Sequence, residues 1–294
     1  MPVSLILDRL AWRARLTRAL GRAAPGSDFL ARHASDDLFE RLTVVERFFD
    51  VAAVSEPVDM VAGMLARSGK AGLTVRLCAV PGIRASGDVP AVVGDEERLP
   101  FAPESLALFV SVLSLHWAND LPGALVQIRR ALRPDGLFLA AMLGGATLTE
   151  LRQALTEAEA EVCGGASPRI LPFADVRDLG ALLQRAGFAL PVADRDVLTV
   201  RYDSAFDLIR DLRGMGATNV LLDRDRRPPP RRLFLRAAEI YAERFADPDG
   251  RVRATFEVVS LSGWAPHEGQ QKPARRGSGT VSLAKVLGRG RRPV

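Results

Sequence analysis

The sequence predicts an α/β domain built on a mostly parallel sheet, and three observations carry that expectation. Short apolar runs at 50–54, 73–80, 91–93, 107–113 and 137–143 alternate with segments of helical periodicity. Runs of that kind, apolar throughout rather than every second residue, are what strands covered on both faces require. Turn signals separate them: Gly69-Lys70-Ala71-Gly72, Pro81-Gly82 and Pro134-Asp135-Gly136. At 294 residues, 48% hydrophobic and 26% charged, the chain has the size and balance of an ordinary globular protein.

Taken in order, two helical patterns come first, Leu5–Leu20 and Ser27–Phe48, forming an N-terminal arm over 1–48. The main domain, 49–294, opens with the strand 50–54. A helix over Val58–Ala66 leads to the second strand at 73–80. Helices over Asp120–Leu132 and Thr147–Val162 flank the fifth strand, and another spans Asp175–Arg185 before Gly187. Extended chain reaches Tyr202. Helices near Ser204–Arg213 and Arg232–Phe245 then form a helical insertion at about 204–245, read as a lid, before a final strand at Arg253–Gly263. Pairing that strand into the existing sheet gives one domain rather than two.

The net charge of +5 comes almost wholly from arginine, concentrated in the arm, in Arg224–Arg232 and in a basic tail at Arg289–Arg292. No aromatic residues interleave with these runs as stacking platforms, so nucleic acid is not the expected partner. No stretch approaches the ~20 apolar residues of a membrane span, while peripheral contact by the basic arm stays open. The two cysteines, Cys78 and Cys163, form no CxxC pair, which fits a reducing compartment and a cytoplasmic setting.

Several blocks carry a resemblance. Asp95-Glu96-Glu97-Arg98-Leu99-Pro100-Phe101 resembles the segment after strand three of class I S-adenosylmethionine-dependent methyltransferases. Ser111–Pro122, including His116-Trp117-Ala118-Asn119, and Leu132–Phe138 resemble the strand-four and strand-five segments. Three downstream blocks narrow it: Gly144–Arg152, Gly214–Asn219, and Gly263-Trp264 with Gly277-Ser278. Together they resemble the respiratory complex I assembly factor and arginine hydroxylase family and its bacterial relatives, from about Leu7 to Leu287. The first blocks are shared with malonyl-carrier-protein O-methyltransferases.

The resemblance implies a seven-stranded Rossmann-like sheet with an N-terminal helical arm and a helical insertion before the last strand. It implies S-adenosylmethionine as cofactor and a protein partner, an arginine-bearing subunit of the complex I peripheral arm. The setting it implies is the inner-membrane surface, or the mitochondrial matrix in a eukaryote. Two other readings stay open: an O-methyltransferase of a carrier protein or small molecule, and a non-catalytic scaffold of the same fold.

Ligands of open α/β sheets bind beyond the carboxyl ends of the strands, beside the switch in strand order. The first loop there usually carries glycines, because the backbone turns sharply against the cofactor. Here the matching stretch is Ala53-Val54-Ser55-Glu56-Pro57-Val58-Asp59, with no glycine, and Cys78-Ala79-Val80 ends strand two where an acidic residue holds the ribose. Glu56 puts a negative charge near the expected methionine carboxylate unless it turns away.

The cofactor-binding candidates are therefore Ser55 at the altered turn, Asp95 and Glu96 as acceptors for adenine, and Leu99 and Trp117 as walls. Asp95 and Glu96 serve equally well as turn caps. His116, after strand four, is the candidate catalytic residue, orienting substrate or accepting a proton, or else a packed core histidine. No metal site is expected, since His33, His116 and His267 are scattered without ligand spacing. Ser55, Asp95 and His116 are expected at one shared rim.

Overall fold

The computed structural model describes residues 5–22, 24–81, 89–271, 278–279 and 281–282. The basic tail Arg289–Arg292 and Gly277 lie outside the described residues.

Helices α1 (Arg9–Arg22) and α2 (Phe29–Thr43) precede the first strand, β1 (Phe49–Ser55). The first helix starts later than its periodicity suggests. Asp8 accepts the Ala11 N–H at 3.0 Å, which caps the helix start, while Leu7 bridges to Leu221 far along the chain. The second helix stops early, at Thr43. The Lys70 ammonium gathers the carbonyls of Leu42, Thr43 and Val45 at 3.1, 2.9 and 2.7 Å, satisfying the helix end that periodicity alone would have prolonged.

Beyond β1 come α3 (Val61–Arg67), β2 (Ala71–Cys78), β3 (Ala91–Val93) and β4 (Leu106–Val112). Then follow α4 (Leu121–Ala131), β5 (Leu132–Leu143), α5 (Thr149–Cys163), α6 (Val176–Arg185) and β6 (Ala189–Tyr202). The helices α7 (Ala205–Gly214) and α8 (Arg231–Phe245) intervene before β7 (Val252–Trp264). The Pro134-Asp135-Gly136 signal is not a separate turn. It is an irregular start to β5, where Asp135 takes a φ of +64° and the register against β4 shifts.

The seven strands order as β3-β2-β1-β4-β5-β7-β6. The pairs from β3 through β5 are parallel, and β7 runs antiparallel between β5 and β6. The final strand thus joins the sheet, and α7 and α8 form the insertion before it. β1 and β4 sit at the centre with nearly every side chain buried, which explains their unbroken apolar sequences. One apolar core lies between the sheet and α2, α5 and α8, and a second lies beneath α4 and α6. A third joins Trp12 and Leu16 of α1 to Val80, Val220 and Leu221.

Two of the downstream blocks turn out to be clamps. In Gly144–Arg152, the Ala146 N–H donates to the buried Glu257 carboxylate at 2.7 Å, and Thr147 Oγ1 accepts from the Glu257 N–H at 3.1 Å. These contacts lock the start of α5 onto β7. A Cβ on Gly144 would lie 2.7 Å from Val259 Cγ2 and 2.8 Å from Glu257 Cδ. Gly144→Ala is expected to cost about 1–3 kcal/mol, read as a lowered urea midpoint. In Gly214–Asn219, a Cβ on Gly214 would meet Ser27 Cβ at 2.7 Å, and one on Gly216, which takes a φ of +74°, would lie 3.1 Å from Leu16 Cα. Small residues there let the end of α7 lie directly against the arm.

Candidate functional site

The strand order reverses between β1 and β4, and the carboxyl ends of those strands carry a hydroxyl–carboxylate cluster. Ser55, the last residue of β1, donates from Oγ to Glu96 Oε1. Its oxygen also lies 3.1 Å from Ser114 Oγ, which lies 2.8 Å from Ser111 Oγ. Glu96 is 1% exposed, and its second oxygen, Oε2, has no hydrogen-bond partner among the described residues. An unpaired carboxylate oxygen out of bulk water costs free energy unless a ligand meets it.

Glu56 turns away from this cluster. Its carboxylate accepts the N–H groups of Val61 and Ala62 at 2.8 and 3.1 Å, at the start of α3. It also lies 3.9 Å from the guanidinium of Arg76, which is completely buried and makes no hydrogen bond among the described residues. Burial pushes the Glu56 carboxyl up to about 7, and the helix N–H groups and Arg76 hold it from rising further. The helix terminus that could have received an anionic ligand is thus already filled by a side chain of the protein.

His116 and Trp117 form a short 3-10 turn, Leu115–Trp117, after β4. His116 is buried with its Nδ1 facing the Leu143 N–H at 3.5 Å, and burial drives its pKa down to about 3. The imidazole is therefore neutral at physiological pH and serves as an acceptor or packing group.

Over this end of the sheet lies the N-terminal arm. Trp12 stacks on Trp117 with ring centroids 5.8 Å apart. Asn119 Oδ1 accepts the N–H groups of Ile6 and Leu7 at 2.8 and 2.7 Å. Arg9 and Arg13 both pair with Asp95. Burial alone would raise the Asp95 carboxyl, but these two guanidiniums outweigh it and hold it below the usual range.

Beneath the arm is a cavity of about 490 Å³. Of the residues singled out from sequence, Ser55, Glu96, His116 and Trp117 line it together. Asp95 and Leu99 do not line it: Asp95 is committed to the arm, and Leu99 packs beside the core under α4 and α6. The expected shared rim therefore joins Ser55 and His116 through Glu96, with Asp95 on the neighbouring arm contact. Trp12, Leu16 and Met215 also line the cavity. Sequence reading missed them because α1 looks only like a basic amphipathic helix until the fold lays it over the cavity, against α7 and Trp117. Among the described residues, no three His, Cys, Asp or Glu side chains come together as a metal site.

The residues present do not reproduce the usual anchors of S-adenosylmethionine. Ser55-Glu56-Pro57 replaces the glycine turn, the start of α3 is filled by Glu56, and Asp95 is engaged by arginines. The end of β2 offers Cys78 and Ala79 rather than a carboxylate.

The sheet order and the crevice at its centre define a protein of the class I methyltransferase fold. Residues 41–140 match the family model described as "Methyltransferase domain". The YcgJ protein of Bacillus subtilis superposes with a TM-score of 0.53 at 14% identity, covering 80% of this chain and 99% of that one, a likeness of fold.

Among curated proteins, the chain is similar to the mitochondrial arginine-hydroxylase NDUFAF5 of Danio rerio, 47% identical over 211 residues, 69% of this chain and 64% of that one. The Homo sapiens protein of the same name is 48% identical over 202 residues, 67% of this chain and 56% of that one. A malonyl-[acyl-carrier protein] O-methyltransferase of Xylella fastidiosa is 39% identical over 175 residues, 60% of this chain and 57% of that one. The chain thus spans 64% or less of the length of these relatives.

Proposed function

We propose that this chain is a methyltransferase-fold assembly factor for respiratory complex I that takes a protein arginine side chain into the cavity beneath the arm, in the manner of an arginine hydroxylase. The observation that carries the reading is the buried, unpartnered Glu96 Oε2 on the cavity wall. A guanidinium is a planar donor suited to a carboxylate, and Ser55 on the other oxygen orients that carboxylate toward the cavity. The similarity to relatives named arginine-hydroxylase supports the same substrate. Hydroxylation inserts an oxygen atom and needs an oxidant. The role assigned to the residues here is to hold and desolvate the guanidinium.

The altered Ser55-Glu56-Pro57 turn favours weak or lost binding of S-adenosylmethionine, and with it the scaffold reading as the second hypothesis. The partner would be a peripheral-arm subunit, met at the inner-membrane surface, in the matrix of a eukaryotic cell. Mass spectrometry of complex I subunits with and without the gene tests this. A hydroxylated arginine that disappears on deletion, together with less assembled complex, is the expected result. Lost assembly with no arginine modification would favour the scaffold. A biotin requirement, with micromolar binding of S-adenosylmethionine by calorimetry, would favour the carrier-protein O-methyltransferase.

A further inference from the structure

A second cavity, of about 630 Å³, adjoins the first and shares Trp117, Leu143 and Met215 with it. Its walls have an unusual charge balance. Arg15, Arg18 and Arg22 of α1 line it from one helix face, and Arg213 faces them from the last turn of α7. Among the described residues, no acidic side chain lines the cavity. None of these four arginines takes part in an ion pair among the described residues, whereas Arg169, also on the wall, is neutralised by Glu159. Arginines elsewhere on the surface, such as Arg41, Arg236 and Arg244, do find carboxylates. Arg15 is held below its ordinary pKa, first by burial and then by the neighbouring Arg224 and Arg18. Asp8 opposes this shift, and its own ion pair is with Arg224.

Much of the remaining wall is apolar. Leu151 and Leu155 of α5, Ile170, Phe173, Phe234 and Phe256 form it. A purely polar anion such as a sugar phosphate would leave this surface wet, and a neutral apolar molecule would leave the guanidiniums without a counter-ion, although Arg15 and Arg18 also donate to the Asn219 and Ala14 carbonyls. The volume lies within the range of pockets that enclose one small ligand. The geometry points to a binding site for a single-chain amphipathic anion, a medium-chain fatty acid whose carboxylate sits among Arg15, Arg18, Arg22 and Arg213 and whose chain lies along α5. This site adjoins the Glu96 cavity, and its assignment does not depend on the substrate assigned there.

Laurate, below its micelle concentration, is the probe, followed by calorimetry and by tryptophan fluorescence, since Trp117 borders the cavity. Laurate is expected to bind in the micromolar range, with dodecanol at least about tenfold weaker and dodecyltrimethylammonium weaker still. Arg18, Arg22 and Arg213 are solvent-exposed, so the triple change Arg18→Gln, Arg22→Gln, Arg213→Gln should leave the melting temperature nearly unchanged. It should weaken laurate by about tenfold or more and leave dodecanol unaffected. Raising the salt concentration should weaken laurate binding to the unaltered protein. A variant that fills the floor, Leu155→Trp, should weaken laurate and dodecanol alike. Equal affinity for laurate and dodecanol, or for laurate and the cationic amphiphile, would overturn the proposal. So would binding to phosphatidylglycerol vesicles without binding of monomeric laurate, because the arginines would then be a membrane-facing patch.

Discussion

Glu56→Gln is expected to destabilise the protein by about 3–5 kcal/mol at pH 8, where the carboxylate is ionised, and Arg76→Met by clearly less, although the two residues form one buried pair. The asymmetry follows from what each substitution leaves behind. Arg76 is completely buried, its nitrogens make no hydrogen bond, and Glu56 at 3.9 Å is its ion-pair partner. A guanidinium cannot shed its proton in a protein, so removing Glu56 strands a permanent charge in the interior. Removing Arg76 leaves a carboxyl already pushed up to about 7 by burial, which becomes neutral by taking a proton and keeps two helix N–H donors.

The sign of the pH dependence follows. A folded-state pKa raised from 4.5 to about 7 means that the folded protein binds more protons than the unfolded one in that interval. The Glu56 contribution is then fully present below 4.5 and is lost as the pH rises through 7. His116 works the opposite way. Its folded pKa of about 3 lies under the ordinary 6.5, so its contribution is present above 6.5 and is lost as the pH falls toward 3. Arg76→Met should steepen the loss of stability above pH 6, whereas Glu56→Gln should abolish the Glu56 slope and leave only the rise due to His116. Urea titrations at pH 5, 6, 7 and 8 measure both. Equal costs for the two single variants at every pH would refute the buried-pair account.

Glu96→Gln is expected to lower the affinity for an arginine-containing tripeptide by about 10- to 100-fold, the worth of a hydrogen bond to a charged group. Gln keeps an oxygen for Ser55 Oγ and nearly the same volume, so the fold should survive. Circular dichroism and the melting temperature check that. The matching tripeptide with citrulline in place of arginine keeps the shape but loses the charge, and it should bind the unaltered protein about as weakly as arginine binds the variant. If Glu96→Gln binds arginine as tightly as the parent, the cavity does not read a guanidinium and the substrate assignment fails. A change at Glu97 is no substitute for this experiment. Glu97 accepts from the Asn119 and Asp120 N–H groups and supports the turn that carries Trp117, so its loss would disturb structure and binding together.

Much of the sheet was legible because its cause is local. Buried central strands must be apolar along their whole length, and β1, β4 and β5 could be placed for that reason. Helix ends were less legible. Whether α2 stops at Thr43 depends on Lys70, a residue that periodicity cannot connect to it. The candidate site divides in the same way. Ser55, Glu96, His116 and Trp117 lie just beyond strand ends, where chemistry is expected of any open α/β sheet, and they converge on one cavity. Asp95 looked equivalent to Glu96 because neighbouring carboxylates cannot be told apart by type. Only the placement of Arg9 and Arg13 commits one of them to the arm and leaves the other facing the cavity.

Blocks that carried the resemblance gained a physical meaning only in three dimensions. Asn119, Gly214, Gly216 and Asn219 hold the arm in place, through the Leu7 backbone, the close approach to Ser27 and Leu16, and the Arg15 guanidinium. From sequence by itself came the fold class, the order of strands and helices, the altered turn at Ser55-Glu56-Pro57 and the strand ends at which a site would form, because each depends on residues close together in the chain. Tertiary structure decided that the basic helix α1 roofs the cavity, that Glu56 turns inward to Arg76 while Glu96 Oε2 faces no partner among the described residues, and that four arginines line one largely apolar cavity. Those outcomes depend on which charges reach one another across the fold, and Coulomb and desolvation energies follow distance in space, not along the chain.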